Sequence, residues 1–205
     1  MNWLIVKASL IYCIHCTLPT PYCVCQYAPN LAITTPCALL YHPLEYTKHS
    51  NTGRLLKIAC DIESQSWHRL KNNELEEQFK DFALLYPTGD SEQSNGLPST
   101  STQTDQLKDH HHIKGYLILD ATWQQSQKMM RQSPWLAALP RVSIDAPPSQ
   151  YRLRRNQSEQ GLSTLESAAY LLIEQNQRNC GLELLQFLEC FQDAFLKARQ
   201  AGLLK

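Results

Sequence analysis

No run of apolar residues approaches the ~20 that a membrane-crossing helix requires, because Lys7 and then His15 interrupt the apolar start of the chain. The same stretch lacks a small-residue cleavage site, so no membrane association is expected and the cytoplasm is the expected compartment. Net charge is missing as well. Nineteen Lys and Arg stand against nineteen Asp and Glu, which excludes a whole-molecule field that would draw in nucleic acid without discrimination; an RNA partner must meet a local patch. No internal repeat is visible. What remains is 205 residues, 43% hydrophobic and 19% charged, the composition of one ordinary globular domain with at most a small appendage.

The eight cysteines are too few for a chain this long to depend on a disulfide framework. Four of them, Cys13, Cys16, Cys23 and Cys25, crowd into the spacing C-x2-C-x6-C-x-C, with Pro19 and Pro21 stiffening the turn between the pairs. Four soft thiolates in one short segment suit a closed, tetrahedral, structural Zn2+, and metal would replace the core that so short a segment lacks. His15 is an alternative ligand. Cys37, Cys60, Cys180 and Cys190 are spaced like core residues.

Two short apolar runs, Cys37 to Tyr41 and Phe82 to Tyr86, are bounded by prolines and read as buried strands; Tyr116 to Leu119 is the strongest strand signal, and Arg141 to Ile144 reads as another. Helices are expected over Arg54 to Ile62, after Thr122, after Ser163 and around Leu184, Leu188, Phe191 and Phe195. Thr122 with Gln125, and Ser163 with Glu166, have capping-box spacing. Residues 88–112 are polar and read as a surface insertion. Strands alternating with amphipathic helices predict an α/β layered fold with a mostly parallel sheet. The expected division is a knuckle over 1–30 and a catalytic domain over 31–205.

Polar groups gather where an open sheet binds ligands, just past strand ends. His42-Pro43-Leu-Glu45 follows one strand, and Asn51-Thr52-Gly53 precedes a helix whose free N–H groups suit an anion. Asp120 ends the central strand, where a carboxylate takes a proton or orients a nucleophile; equally, it serves the helix start, with Trp123 in the core. Tyr151-Arg152-Leu-Arg154-Arg155 leads to a second capped helix start. Between Lys128 and Arg155 six basic residues face the single acid Asp145, which is a patch an RNA backbone requires or simply a solvated face.

In this order these segments resemble the DTW-domain family of transfer RNA uridine aminocarboxypropyltransferases. The name motif stands here as Asp120, Thr122 and Trp123, beside the cysteine knuckle, His42-Pro-x-Glu45, Asn51-Thr-Gly-Arg-Leu55, Tyr151-x-Leu-Arg154 and Leu162-Ser-Thr-Leu-Glu166. The resemblance implies a SPOUT-like, knotted α/β fold. It also implies transfer of the 3-amino-3-carboxypropyl group of S-adenosylmethionine to N3 of a variable-loop uridine, with release of 5′-methylthioadenosine. Asp120, Thr122 and Trp123 would then be catalytic. Tyr41, His42, Thr52, Gly53, Leu119, Arg154, Ser163 and Thr164 would hold S-adenosylmethionine. Lys48, Arg54, Lys128, Arg131, Arg152 and Arg155 would grip transfer RNA. A SPOUT-type methyltransferase and a non-catalytic zinc-dependent RNA-binding protein are the alternatives. The sequence favours a monomer without fixing the oligomeric state.

Overall fold

A computed structural model describes residues 11–87, 113–153 and 161–204. The polar insertion over 88–112 lies outside the described residues, as do Arg154 and Arg155. The fold is α/β. Five strands, β1 (Cys37–Tyr41), β2 (Glu63–Ser66), β3 (Phe82–Leu85), β4 (Gly115–Asp120) and β5 (Arg141–Val142), form one sheet in the order β2-β1-β4-β3-β5. Every neighbouring pair is parallel.

Among the described residues seven α-helices accompany them: α1 (Pro43–Tyr46), α2 (Gly53–Cys60), α3 (Asn72–Phe79), α4 (Trp123–Gln132), α5 (Pro134–Ala138), α6 (Thr164–Glu174) and α7 (Arg178–Gln200). The alternation of side chains along a strand sends successive residues to opposite faces. Leu39 and Ile118 accordingly join one core, with α2, α6 and α7. Ala38, Leu40, Leu84 and Leu117 join the other, with α3, α4 and α5. Both faces of the central strands are therefore covered, as an all-parallel sheet requires.

The knuckle belongs to the first of these layers. Cys16, Leu18 and Val24 are buried in one cluster with Leu55, Leu165 and Phe195, so the segment shares the core of the sheet instead of standing apart. Helix α7 lies close against α6 because residue 181 is glycine; a Cβ there would fall 2.5 Å from the Ala169 carbonyl oxygen.

Among the described residues β2 and the helices α1, α3 and α5 are not expected from the sequence. β2, Glu-Ser-Gln-Ser, is a polar edge strand paired only with β1, so no apolar alternation marks it. α3 buries only Leu75 and Phe79. The strand expected to reach Ile144 ends at Val142. The helix expected to reach Ile62 stops at Cys60, where Asp61 takes a left-handed conformation with φ 38°.

Candidate functional site

Residue 120 is the last of β4, and its strand partner is Tyr41, the last of β1. The two strands leave the sheet side by side. The backbone N–H of His42 donates to the Asp120 carbonyl at 2.9 Å. Past that point the Asp120 carboxylate turns inward. Asn51 Nδ2 donates to its Oδ2 at 2.6 Å and Thr164 Oγ1 donates to its Oδ1 at 2.8 Å. Asn51 also accepts from the Arg54 backbone N–H at 2.8 Å, closing the first turn of α2. Thr52 Oγ1 accepts from the Leu165 N–H in α6.

One carboxylate thus joins the end of β4 to the starts of α2 and α6. Gly53 is required for this approach, because a Cβ on it would lie 2.5 Å from Asp120 Cγ. Asp120 is only 3% exposed. Burial pushes its carboxyl above the usual range, against the partial relief supplied by the Asn51 and Thr164 hydrogen bonds.

His42 caps α1, with Nδ1 accepting from the Leu44 N–H, and its ring stacks on Trp67 at 5.6 Å. Burial lowers its affinity for a proton, and the nearby Lys128 lowers it further. Tyr41 stacks on Tyr46 at 4.9 Å. Leu119, one residue before Asp120, packs against the α3–α5 side of the core.

Thr122 forms the expected capping box with Gln125, and Ser163 forms the other with Glu166. Trp123 is not core: it is 43% exposed and stacks on Tyr86 at 5.4 Å. Tyr86 in turn has the Arg141 guanidinium 5.5 Å from its centroid.

Glu166, 1% exposed, does more than cap. Its carboxylate also accepts from the Ser149 hydroxyl and the Gln150 N–H, both at 2.8 Å. The adjoining Tyr151 hydroxyl donates to the Ser50 carbonyl. This strap holds the Tyr151 segment against the Asn51 loop.

The basic residues do not share one situation. Lys128 and Arg131 are exposed on α4. Lys48 pairs with Glu45 at 2.5 Å, and Arg152 with Asp193 at 2.7 Å. Arg54 is buried, donates to the Tyr46 carbonyl, and lies 4.3 Å from the centroid of the Tyr46 ring. It is a cation of the interior of the fold, which its place in a helical sequence does not reveal. In sequence Asn51 has only the look of a helix cap. Its bond to Asp120 spans the fold and leaves no local signal.

The four knuckle cysteines come together. Their sulfurs all lie within 4.8 Å of one another, with Cys13 to Cys25 at 3.6 Å and Cys16 to Cys23 at 3.8 Å. Tetrahedral zinc with Zn–S bonds of ~2.3 Å places its sulfurs about 3.8 Å apart, so the donor set fits a four-thiolate metal site. All four are free thiols. His15 is not among the ligand group. Cys37, Cys60, Cys180 and Cys190 are packed in or against the core, and burial pushes the Cys37 and Cys60 thiols up to about 12.

Fold and site together define an α/β protein with a polar centre at the carboxyl ends of two central parallel strands and a cysteine cluster, suited to a metal, in the same layer. The DTW domain matches residues 10–196. The chain belongs to that family. It is 26% identical over 201 residues to the mouse protein (Mus musculus) named tRNA-uridine aminocarboxypropyltransferase 2, an alignment covering 92% of this chain and 61% of the relative. It is 27% identical over 175 residues to the Drosophila melanogaster protein of the same name, covering 78% and 64%. The chain therefore spans about three fifths of the length of the curated relatives it matches. No solved structure matches it significantly. Among the described residues no helix is long and apolar enough to cross a membrane.

Proposed function

We propose that this protein transfers the 3-amino-3-carboxypropyl group of S-adenosylmethionine to N3 of a transfer RNA uridine in the cytoplasm, releasing 5′-methylthioadenosine. The observation that carries the reading is the convergence on Asp120. Segments distant in sequence and shared with the family meet there: His42 through its backbone, Asn51 and Thr164 through their side chains, and Gly53 by close approach. Tyr151 and Glu166 brace the same loops. The all-parallel sheet, with its polar centre at strand ends, supports the α/β part of a SPOUT-like classification, and the knot is proposed on the family resemblance alone.

Bound S-adenosylmethionine supplies a sulfonium whose three attached carbons are all electrophilic. Choosing among them is a matter of placement. The backbone around Tyr41, His42, Thr52, Gly53 and Leu119 is assigned to the adenosine and methionine parts. The side chains of Thr52, Ser163 and Thr164 are engaged within the protein, so their part is to shape the floor of the site. Arg154 is assigned to the methionine carboxylate.

In the transfer, the N3 proton leaves, the new N3–carbon bond forms, and the bond from that carbon to sulfur breaks with its electrons staying on sulfur. Asp120 accepts or orients the N3 proton. A raised pKa makes its carboxylate a better acceptor than a solvated one. Thr122 fixes the start of α4 beside it, and exposed Trp123 offers a ring face to a base. Lys48, Lys128, Arg131, Arg152 and Arg155 are assigned to the RNA backbone, and a structural Zn2+ to the four cysteines.

The test is mass spectrometry of an unmodified transfer RNA transcript after incubation with the protein and S-adenosylmethionine. Aminocarboxypropyluridine with methylthioadenosine is the expected result. A methyl increment with S-adenosylhomocysteine would make it a methyltransferase. No change in the RNA across a broad panel would leave a binding protein. Asp120→Asn should abolish transfer while S-adenosylmethionine still binds, and retained turnover would remove Asp120 as the base.

A further inference from the structure

Apart from the Asp120 centre, the knuckle and α2 enclose a cleft of about 390 Å3. Its walls are Ile14, His15 and Cys25 from the knuckle, Tyr46 from α1, and Arg54, Lys57 and Ile58 from α2. The composition is one-sided. Two cations and an imidazole face it; the Cys25 sulfur, a potential anion, is turned to the other knuckle sulfurs, and no carboxylate among the described residues lines it.

Arg54 is the telling residue. It is 8% exposed, yet no carboxylate among the described residues makes an ion-pair contact with it, the buried Asp120 acting on it only through its field, and its Nε has no hydrogen-bond partner. The only acceptor for its guanidinium among the described residues is the Tyr46 carbonyl, and its only ring contact there is with Tyr46. A guanidinium withdrawn from water with no carboxylate in contact is costly and is relieved by an anion that brings hydrogen-bond acceptors. Guanidinium geometry suits phosphate oxygens, and Lys57 adds a point charge on the same helix. The exposed Ile14, 83% accessible, puts an apolar side chain beside that phosphate, while the Tyr46 ring is engaged by Tyr41 and by the Arg54 guanidinium.

We propose that this cleft is a phosphate subsite for the RNA chain, built jointly by the metal knuckle and α2. The proposal rests on the reading of the protein as a transfer RNA enzyme. It also gives the knuckle a part in binding. Ile14 and His15 lie between Cys13 and Cys16, so a metal that fixes those cysteines also fixes one wall of the cleft.

Because Arg54 is buried, replacing it tests the fold along with the site. The informative variants are Lys57→Gln and His15→Gln, with metal content and melting temperature measured alongside. Affinity for a transfer RNA transcript is followed across a salt titration, separately from steady-state transfer. Lys57→Gln is expected to weaken RNA binding on the order of threefold to tenfold and to reduce the magnitude of the log–log salt slope by about 0.7 to 0.9, the signature of one lost phosphate contact. KM for RNA should rise in step, with kcat and KM for S-adenosylmethionine unmoved. His15→Gln should act in the same direction and by less.

An unchanged slope and RNA affinity in both variants of an enzyme that modifies RNA would overturn the subsite alone. A rise in KM for S-adenosylmethionine with RNA affinity unmoved would overturn it in favour of the methionine carboxylate as the anion. A wild-type protein that binds RNA without modifying it, and loses one phosphate contact in Lys57→Gln, would keep the subsite and sink the transferase reading. Failure of the wild type to bind RNA would sink both.

Discussion

The two centres of this molecule are built on opposite plans. Around Asp120 the buried carboxylate is answered from within: Asn51 and Thr164 supply donors, and Asn51 is in turn anchored by a backbone N–H. In the knuckle four sulfurs approach one another, each a potential anion. Burial and neighbouring sulfurs hold the Cys16 and Cys25 thiols up, while at Cys13, against burial, hydrogen bonds from the Cys16 and His15 backbone and from its neighbours bring the thiol down to about 6. Ionisation is unevenly shared across the set, and a bound metal would favour the thiolate of all four. The first centre is complete when the chain folds. The second has the donor set to take up a metal from solution.

The difference is broken most strongly by chelation. Removing metal is expected to unfold residues 11–28, since structural zinc contributes on the order of 10 kcal/mol in small sites. Cys16, Leu18 and Val24 share the α2–α6–α7 core, so the melting temperature of the whole chain should fall too. Limited proteolysis and calorimetry with and without chelator would show this; an unchanged cleavage pattern would mean that the sulfurs are held without metal.

Asp120→Ala should be the most damaging change at the other centre. It strands Asn51 Nδ2 and Thr164 Oγ1, at about 1–3 kcal/mol for each buried group left unmet, less whatever the lost carboxylate cost to bury. Asp120→Asn keeps an acceptor for Asn51, and the Thr164 hydroxyl can rotate to accept from the new amide. Urea unfolding should therefore place the Asn variant within about 1 kcal/mol of wild type. The pair also has a pH signature. The folded carboxyl holds its proton more tightly than the unfolded one, so its contribution is fully present below the unfolded pKa of ~3.9 and is lost as pH rises through the raised folded value. Wild type should gain stability relative to Asp120→Asn as pH falls from about 8 to about 4, and parallel curves would contradict that.

Gly53→Ala should cost about 1–3 kcal/mol through the forced contact with Asp120, read in the same urea experiment. The smallest effect belongs to Thr122→Ala. Losing one side of its capping box should cost about 1 kcal/mol and leave metal content unchanged.

Much of the architecture is legible in the chain because local chemistry and tertiary role agree. Cys37 to Tyr41 and Tyr116 to Leu119 are apolar on both faces because both faces are covered. Thr122 with Gln125 and Ser163 with Glu166 announce helix starts that the structure contains. The cysteine spacing foretells a cluster that closes in space. The features that cannot be read this way lack a local signature. β2 is held by backbone pairing along one edge, and its Ser and Gln side chains bury too little to imprint a pattern. The second role of Glu166, gripping the 149–150 segment, looks in sequence like the end of a capping box. Arg54 has the spacing of a surface helix cation, and only the arrival of Tyr46 across it makes it an interior group.

The pairing of β1 with β4 governs how this chain can assemble on the ribosome. Cys37 is in register with Tyr116, so the centre of the sheet cannot close until β2, β3 and the 88–112 stretch have all emerged. Until then Leu39 and Leu40 wait without the strand that later covers their flank. Long-range parallel pairing of this kind is slow and leaves apolar edges open to association while synthesis continues. The nascent protein should therefore need its greatest protection between the emergence of β1 and that of β4, a window set by topology alone.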